Sequence, residues 1–579
     1  AALALLCGSV AAVVVWKWLG KRQIQKKMEE AQRTRDEGVK KMAKAIPLIF
    51  PFQVSSAQTD AILSLPLLEL TGRLREGSLS PRTVLYTYVE KALEVTKQTN
   101  CLRHFIPECE EQLQEIQQQR EKGLLYGIPI SIKDHIGHKG HLSTCGLVQC
   151  LGTPVQEDSI LVKVLKSQGA VPFAMTNVPQ SLFNYDCSNP IFGQTLNPFN
   201  HQKSPGGSSG GEGALIAGGG SILGIGSDVG GSIRLPSSFC GLCGLKPTAE
   251  RLSVWCTCLL NVDVCSRPTP VPCALGPMAR DVDSLALCMK ALLCQEMFQL
   301  DPTVPPIPFD EEVYSSSAPL RVGYYDTDGY FPLPPCMRRA VWETRGALRA
   351  AGHQLVPFSP PRIHYVMTEL FLKTFFADGG CAWLDLFTGN IIDPSLKPQV
   401  NCCKIPRLGK MLLALILKHL DYLSDSPLLL KLKNIATIPT CRSVKEMWNH
   451  HHQIEAYRTE FIARWRELQL DVVLCPVLGP AFTLGYPGKL LTAISSTMLY
   501  NVLNFPAGVV PVSMVTEADE EELKHYRGCC NDPWDRTLKQ VCNTETGCGR
   551  GRGGCVALPW REELCLRFMK EVETLSQKK

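Results

Sequence analysis

Two residues in this chain could together attack a carbonyl carbon and open an acyl bond: Lys133 at the end of "LLYGIPISIK" and Ser232 in "GSDVGGSIRLPSSFCGLCGLKPT". A second glycine-rich segment, "SPGGSSGGEGAL", carries Ser208. Two consecutive glycines before Ser232 let several backbone N–H groups converge, as an anionic tetrahedral intermediate requires. Losing one such donor typically costs about 3–4 kcal/mol in the transition state. A serine hydroxyl also needs a base, and neither glycine-rich segment holds a histidine. A lysine can serve when neutral, and burial lowers its pKa toward the working range. Lys133, ending an otherwise apolar strand, is placed for that. Asp134 beside it reads as a group that orients backbone or stabilises the protonated lysine, and Arg234 as a structural charge.

Other chemistries find less support. Gly206-Gly207-Ser208-Ser209-Gly210 has the form G-x-S-x-G, but a nucleophile elbow needs an apolar strand directly before it. The preceding "NPFNHQKSP" cannot be a central strand. Neither G-x-x-x-x-G-K-S/T nor G-x-G-x-x-G after a strand is present, so nucleotide binding lacks its usual support. A formal charge of +5 over 579 residues is too dilute for a nucleic-acid partner. The 26 cysteines are scattered and read as reduced, mostly buried thiols. Cys240 and Cys243 lack a matching pair for a metal site, and His450-His451-His452 reads as an exposed helix surface without companion ligands. No cofactor and no metal are expected.

The elements that must position these groups are partly legible. "LLYGIPISI" from Leu124, "GAVPFAMTNVP" from Gly169, "LRVGYY" from Leu320, "DVVLCP" near Val472 and "AGVVPV" near Val509 predict buried strands. Ser80-Pro81 marks a helix start, and "GPMAR" at Gly276–Arg280 precedes a helix running through Leu285. With no internal repeat or sharp composition break, one large α/β domain with insertions is expected. Residues 1–16 are uncharged, and the next 29 carry ten Lys/Arg against four Asp/Glu. Sixteen helical residues span about 24 Å, short of the roughly 30 Å hydrocarbon core, so an anchor over residues 1–20 is expected to begin upstream of Ala1. Positive charge after the apolar run keeps the body cytosolic. Residues 21–95 read as basic and amphipathic helices. "LGKMLLALILKHLDYL" at 408–423 has a broad apolar stripe that suits either a core or a membrane interface.

Lys133, the two glycine-rich serine segments and "GPMAR" resemble the amidase signature family. The chain from its N-terminal apolar run to "CVALPWREELCLRFM" is similar to that family's membrane-bound branch, which hydrolyses fatty-acid amides. "TNVPQSLFNYDCSNPIFGQT", "LDPTVPPIPF" and "YNVLNFPAGVVPV" are the stretches shared with that branch. The resemblance implies an α/β fold with a large mixed central sheet, helices on both faces and an N-terminal transmembrane helix. The catalytic domain would span 96–579, with membrane-cap helices at about 395–425. Ser232 would form the acyl-enzyme and Ser208 would shuttle the proton between it and Lys133, after a cis peptide at Gly207–Ser208. Val229, Gly230, Gly231 and Ser232 would supply the oxyanion hole, with Leu182, Phe183 and Ser208 against the substrate. Long-chain fatty-acid amides, N-acylethanolamines among them, would yield fatty acid and amine or ammonia, with secondary esterase activity. The same resemblance implies a membrane partner, a homodimer, and residence in endoplasmic reticulum and other internal membranes. The alternatives are an amidase for polar amides and a catalytically impaired relative.

Three departures from the branch stand out. Leu182 replaces a methionine, which implies altered acyl preference. "KDHIGHKGHLST" brings three histidines near the base, which could alter the pH response. "TETGCGRGRGGC" at 544–555 stands where relatives have an apolar strand, and its arginines and glycines predict a loop or an impaired fold.

Overall fold

The computed structural model describes residues 2–49, 56–119, 121–257, 270–331, 333–406, 440–490, 492–526, 537–539 and 550–578, with 409, 410, 412, 415 and 416 between them. The side chains of residues 2–14, 17, 45–49, 56, 489 and 550 lie outside the description.

Eleven strands form one sheet: β1 (Leu102–Phe105), β2 (Pro129–Lys133), β3 (Val171–Thr176), β4 (Leu223–Asp228), β5 (Cys243–Lys246), β6 (Ala274–Ala279), β7 (Arg321–Tyr324), β8 (Gln354–Pro357), β9 (Val472–Pro476), β10 (Ala507–Met514) and β11 (Arg550–Ala557). Their spatial order is β1-β3-β2-β4-β6-β5-β10-β11-β9-β7-β8. β3, β2 and β4 run parallel, as do β9, β7 and β8, and the strands between β4 and β9 pair antiparallel. The expected mixed sheet with helices over both faces is therefore present. β2, β3, β4, β6 and β9 are buried along their whole length, as strands covered on both faces must be.

β11 overturns the expectation of a loop at 544–555 for the described part of that stretch. It pairs along its length with β10 and with β9 on the other side. The glycines are what the space allows: a Cβ on Gly554 would stand 2.7 Å from Cys475 Sγ, and one on Gly551 2.7 Å from Ala340 Cβ. Arg552 is buried, and its Nε donates to the Ser238 carbonyl at 2.8 Å, so the charge is met by a hydrogen bond. Residues 541–549 lie outside the description.

At the N-terminus a single helix, α1 (Ala2–Ile49), runs through the expected boundary at residue 20. Its later half docks on the body: Met28 and Met42 are buried, and Gln32 Nε2 donates to the Ile191 carbonyl at 2.6 Å. Among the described residues, no helix is long and apolar enough to cross a membrane. The expected anchor falls mostly on residues whose side chains lie outside the description. Of the expected cap at about 395–425, residues 395–406 are described, with Lys397–Lys404 helical, as are 409, 410, 412, 415 and 416; Leu412, Leu415 and Ile416 are 63%, 58% and 51% exposed.

Candidate active site

β2 carries Lys133 into the centre of the molecule, where it is fully buried. Its Nζ lies 2.7 Å from Ser208 Oγ and 2.9 Å from Ser227 Oγ. Burial brings the ammonium down to about 8, although the nearby Cys273 thiol and Asp228 carboxylate pull the other way. A buried lysine in this range exchanges its proton near neutral pH.

Ser208 follows a cis Gly207–Ser208 peptide and precedes the helix α2 (Gly210–Ala217). The Ser209 N–H donates to the Ser232 carbonyl at 3.2 Å, tying the two serine loops together. The Ser208 and Ser232 hydroxyls are not hydrogen-bonded to each other. Ser232 Oγ has no protein partner among the described residues and faces a cavity.

The loop from Val229 to Ile233 joins β4 to the helix α3 (Arg234–Cys240). Asp228 organises it from one end, accepting from the N–H groups of Gly231 at 2.7 Å and Ile233 at 3.2 Å. Gly231 has φ 129°, a conformation that side chains disfavour. Its N–H is thus engaged with Asp228, whereas those of Val229, Gly230 and Ser232 have no protein acceptor among the described residues. Burial disfavours the Asp228 carboxylate, but Arg234, bound through Nε and Nη2 at 3.0 Å each, holds its pKa well below the usual range. Arg234 also donates to the Thr497 carbonyl and to Asn501 Oδ1, at 2.9 and 2.6 Å. Asn501 Nδ2 returns a bond to Asp228 Oδ1 at 2.9 Å, and Thr497 Oγ1 donates to the Gly230 carbonyl at 2.7 Å. This buried network clamps the loop to the helix α4 (Ser495–Val502).

A cavity of about 70 Å³ opens on Ser232, lined by Leu182, Phe183, Leu235, Phe371, Ile494 and Met498, among others. A larger one, about 380 Å³, shares Val229 and Phe375 with it and reaches Trp383, Cys441 and Met447. Leu182 and Phe183 therefore stand on the same cavity as Ser232. Phe183 packs on Phe376 and Trp383, with ring centroids at 5.8 and 5.0 Å.

Several residues have roles that sequence reasoning left open or missed. Asp134 does not reach Lys133: it accepts from Thr144 N and Cys145 N at 2.9 and 2.7 Å and pairs with Arg103 at 2.9 Å. His135 is fully buried, and burial holds its pKa well below the usual imidazole value. His450 is buried rather than exposed, bonded to Thr374 Oγ1 at 2.9 Å. Ser227, Asn501 and Thr497 were not anticipated, nor was Glu212. That carboxyl is fully buried, accepts from Ser131 and Thr176 hydroxyls at 2.6 and 2.8 Å, and is raised to about 8 by burial. The spacing of Ser131 and Lys133, two residues apart on one strand and hence on one face, was the available signal for Ser131.

The pattern that defines the family Amidase matches residues 83–527. The chain belongs to the amidase family, and is an amide hydrolase. Among its relatives, "Fatty-acid amide hydrolase 1" of Sus scrofa is 49% identical over 573 residues, 99% of this chain and 96% of the relative. "Vitamin D3 hydroxylase-associated protein" of Gallus gallus is 59% identical over 449 residues, 77% of this chain and 94% of the relative. A solved structure of "Fatty acid amide hydrolase" superposes with a TM-score of 0.77 at 24% identity, covering 95% of each chain, which shows the amidase fold.

Proposed function

We propose that this amidase hydrolyses long-chain fatty-acid amides through an acyl-enzyme on Ser232. The observation that carries the reading is the buried Lys133–Ser208 contact of 2.7 Å beside a serine that opens on an apolar cavity. Neutral Lys133 accepts the Ser208 proton while Ser208 takes that of Ser232, whose Oγ attacks the amide carbon. The Ser208–Ser232 link closes when the amide is seated, as catalytic hydrogen bonds commonly do. Negative charge then develops on the carbonyl oxygen, within reach of the N–H groups of Val229, Gly230 and Ser232; Gly231 shapes the turn and joins only by sharing its proton with Asp228. Lys133, now protonated, returns a proton through Ser208 to the departing nitrogen. Protonation matters because an amine anion leaves far less readily than an alkoxide. Water then releases the fatty acid by the same relay in reverse.

The acyl chain lies against Leu182, Phe183 and Met498. The 49% identity to a fatty-acid amide hydrolase supports the lipid substrate, as does the apolar lining. The exposed Leu412, Leu415 and Ile416 suit a membrane interface from which such a substrate would enter. A single N-terminal anchor, a cytosolic body on internal membranes and a dimer complete the proposal.

The test is reaction of detergent-solubilised protein with a long-chain fluorophosphonate, peptide mapping of the label, and oleamide turnover in wild type and Ser232→Ala. Label on Ser232 with turnover lost in the variant supports the assignment. Label on Ser208, or none on folded protein, overturns it.

A further inference from the structure

A further cavity, of about 290 Å³, lies between α1 and the body, away from the serines. Its charged and titratable lining is Lys27, Glu30 and Arg35 from α1, Arg103 and His104 from β1, and His141 from the loop after β2. We infer that this cavity is a binding site for a phosphate-type oxyanion.

Three cations face the space against one carboxylate, Glu30. Arg103 is already engaged, with Asp134 at 2.9 Å and the Leu142 carbonyl at 2.7 Å. The others keep donors free. Lys27 has no ion pair among the described residues. Arg35 uses Nε on Asp36 and Nη1 on Asn100 Oδ1 at 3.1 Å each, which leaves Nη2 without an acceptor among the described residues. The His104 imidazole makes no hydrogen bond among the described residues, although α1 packs on it so closely that a Cβ on Gly38 would touch its ring at 3.3 Å. These donors converge from two elements, α1 and β1, with Arg35 held over the Phe192 ring at 5.8 Å. A guanidinium and an ammonium of this kind recognise a tetrahedral oxyanion.

Proton uptake accompanies binding. Burial, Arg103 and His141 hold His104 down at about 3. Glu108, which bonds His141 at 2.8 Å, and Asp158, which lies 3.9 Å from His138 and pairs with Lys166, are the acids on the adjoining loops. They are spent on the other two imidazoles, leaving His104 in a positive setting. An anion beside it favours the imidazolium, so affinity rises as pH falls. The oxyanion could come from a lipid headgroup or from free phosphate, and the chemistry of recognition is the same.

Titration of the detergent-solubilised full chain with sodium sulfate, against sodium chloride at equal ionic strength, tests the site by calorimetry. Sulfate keeps its charge over the range used, so pH acts on the protein alone. Saturable binding is expected, at least about fivefold weaker in Lys27→Gln and in Arg35→Gln. It should tighten as pH falls from 7.5 to 4.5 in wild type, mostly at the acid end, and less in His104→Gln. Lys27 lies on the exposed face of α1, so its substitution leaves the fold intact. No saturable binding, or binding unchanged in both cation variants, overturns the site. Competition by vesicles containing phosphatidic acid, but not by phosphatidylcholine alone, identifies a headgroup as the source, and lack of competition a free oxyanion.

Discussion

Lys133 sets the pH behaviour of the proposed relay. Its working form is neutral, and burial brings its proton loss down to about 8 from the ordinary lysine range near 10.4. Amide turnover should therefore rise through pH 7 to 9 and level off above, because deprotonation creates the base. A pH series of kcat/KM for a soluble amide checks this, and a profile falling over that interval would contradict it. Lys133→Ala should cost about 10²–10⁴ in rate and remove the inflection. Ser208→Ala should lose activity comparably, since its hydroxyl is the lysine's route to Ser232. The choice of Ser208 as partner came from family resemblance, not from spacing: 75 residues separate it from Lys133, and nothing local to either residue reports the contact. Ser227, the lysine's other partner, lay unseen because the strand that carries it, "LGIGSD", has too few β-branched residues to announce itself.

At the level of elements, the clamp between the Val229–Ile233 loop and α4 should control reaction geometry. Asn501→Ala leaves Arg234 and Asp228 with one partner fewer, so the loop's N–H groups lose alignment with the forming oxyanion. The expected result is a fall of about tenfold or more in kcat with little change in KM, as belongs to an interaction made in the transition state. Steady-state kinetics on a soluble amide distinguish this from a binding defect. β11 supports a second prediction: Gly554→Val drives a branched side chain into Cys475 and should cost about 1–3 kcal/mol, seen as a lower melting temperature. The same crowding explains why this strand could not be read. β3 and β9 were legible from runs such as "VPFAMT" and "VVLCP", whereas "RGRGGCVA" owes its strand to neighbours that exclude side chains on either side. β5 and β6, "CGLK" and "ALGPMA", escaped for a related reason, since tertiary packing rather than intrinsic preference makes them strands.

For the whole molecule the question is how a water-insoluble amide reaches Ser232, half-buried on a cavity lined by aromatic rings. Leu412, Leu415 and Ile416 recur at helical spacing and remain more than half exposed, an arrangement that costs free energy in water and gains it in a lipid interface. Each side chain, fully buried, contributes about 1.5–3 kcal/mol. Partial insertion of the three should therefore strengthen contact with the bilayer by one to two orders of magnitude. Replacing all three with glutamate should raise the KM for oleamide presented in vesicles by about tenfold or more. Turnover of a short, soluble amide should stay unchanged, because the substituted residues do not line the cavity at Ser232. Assaying both substrates with the same preparation separates entry from chemistry. Loss of both activities would place these residues in the folded core, and loss of neither would mean that the substrate enters by another route. The anchor proposed for α1 would not supply this function by itself, since it would hold the body near the bilayer without opening a path from lipid to Ser232.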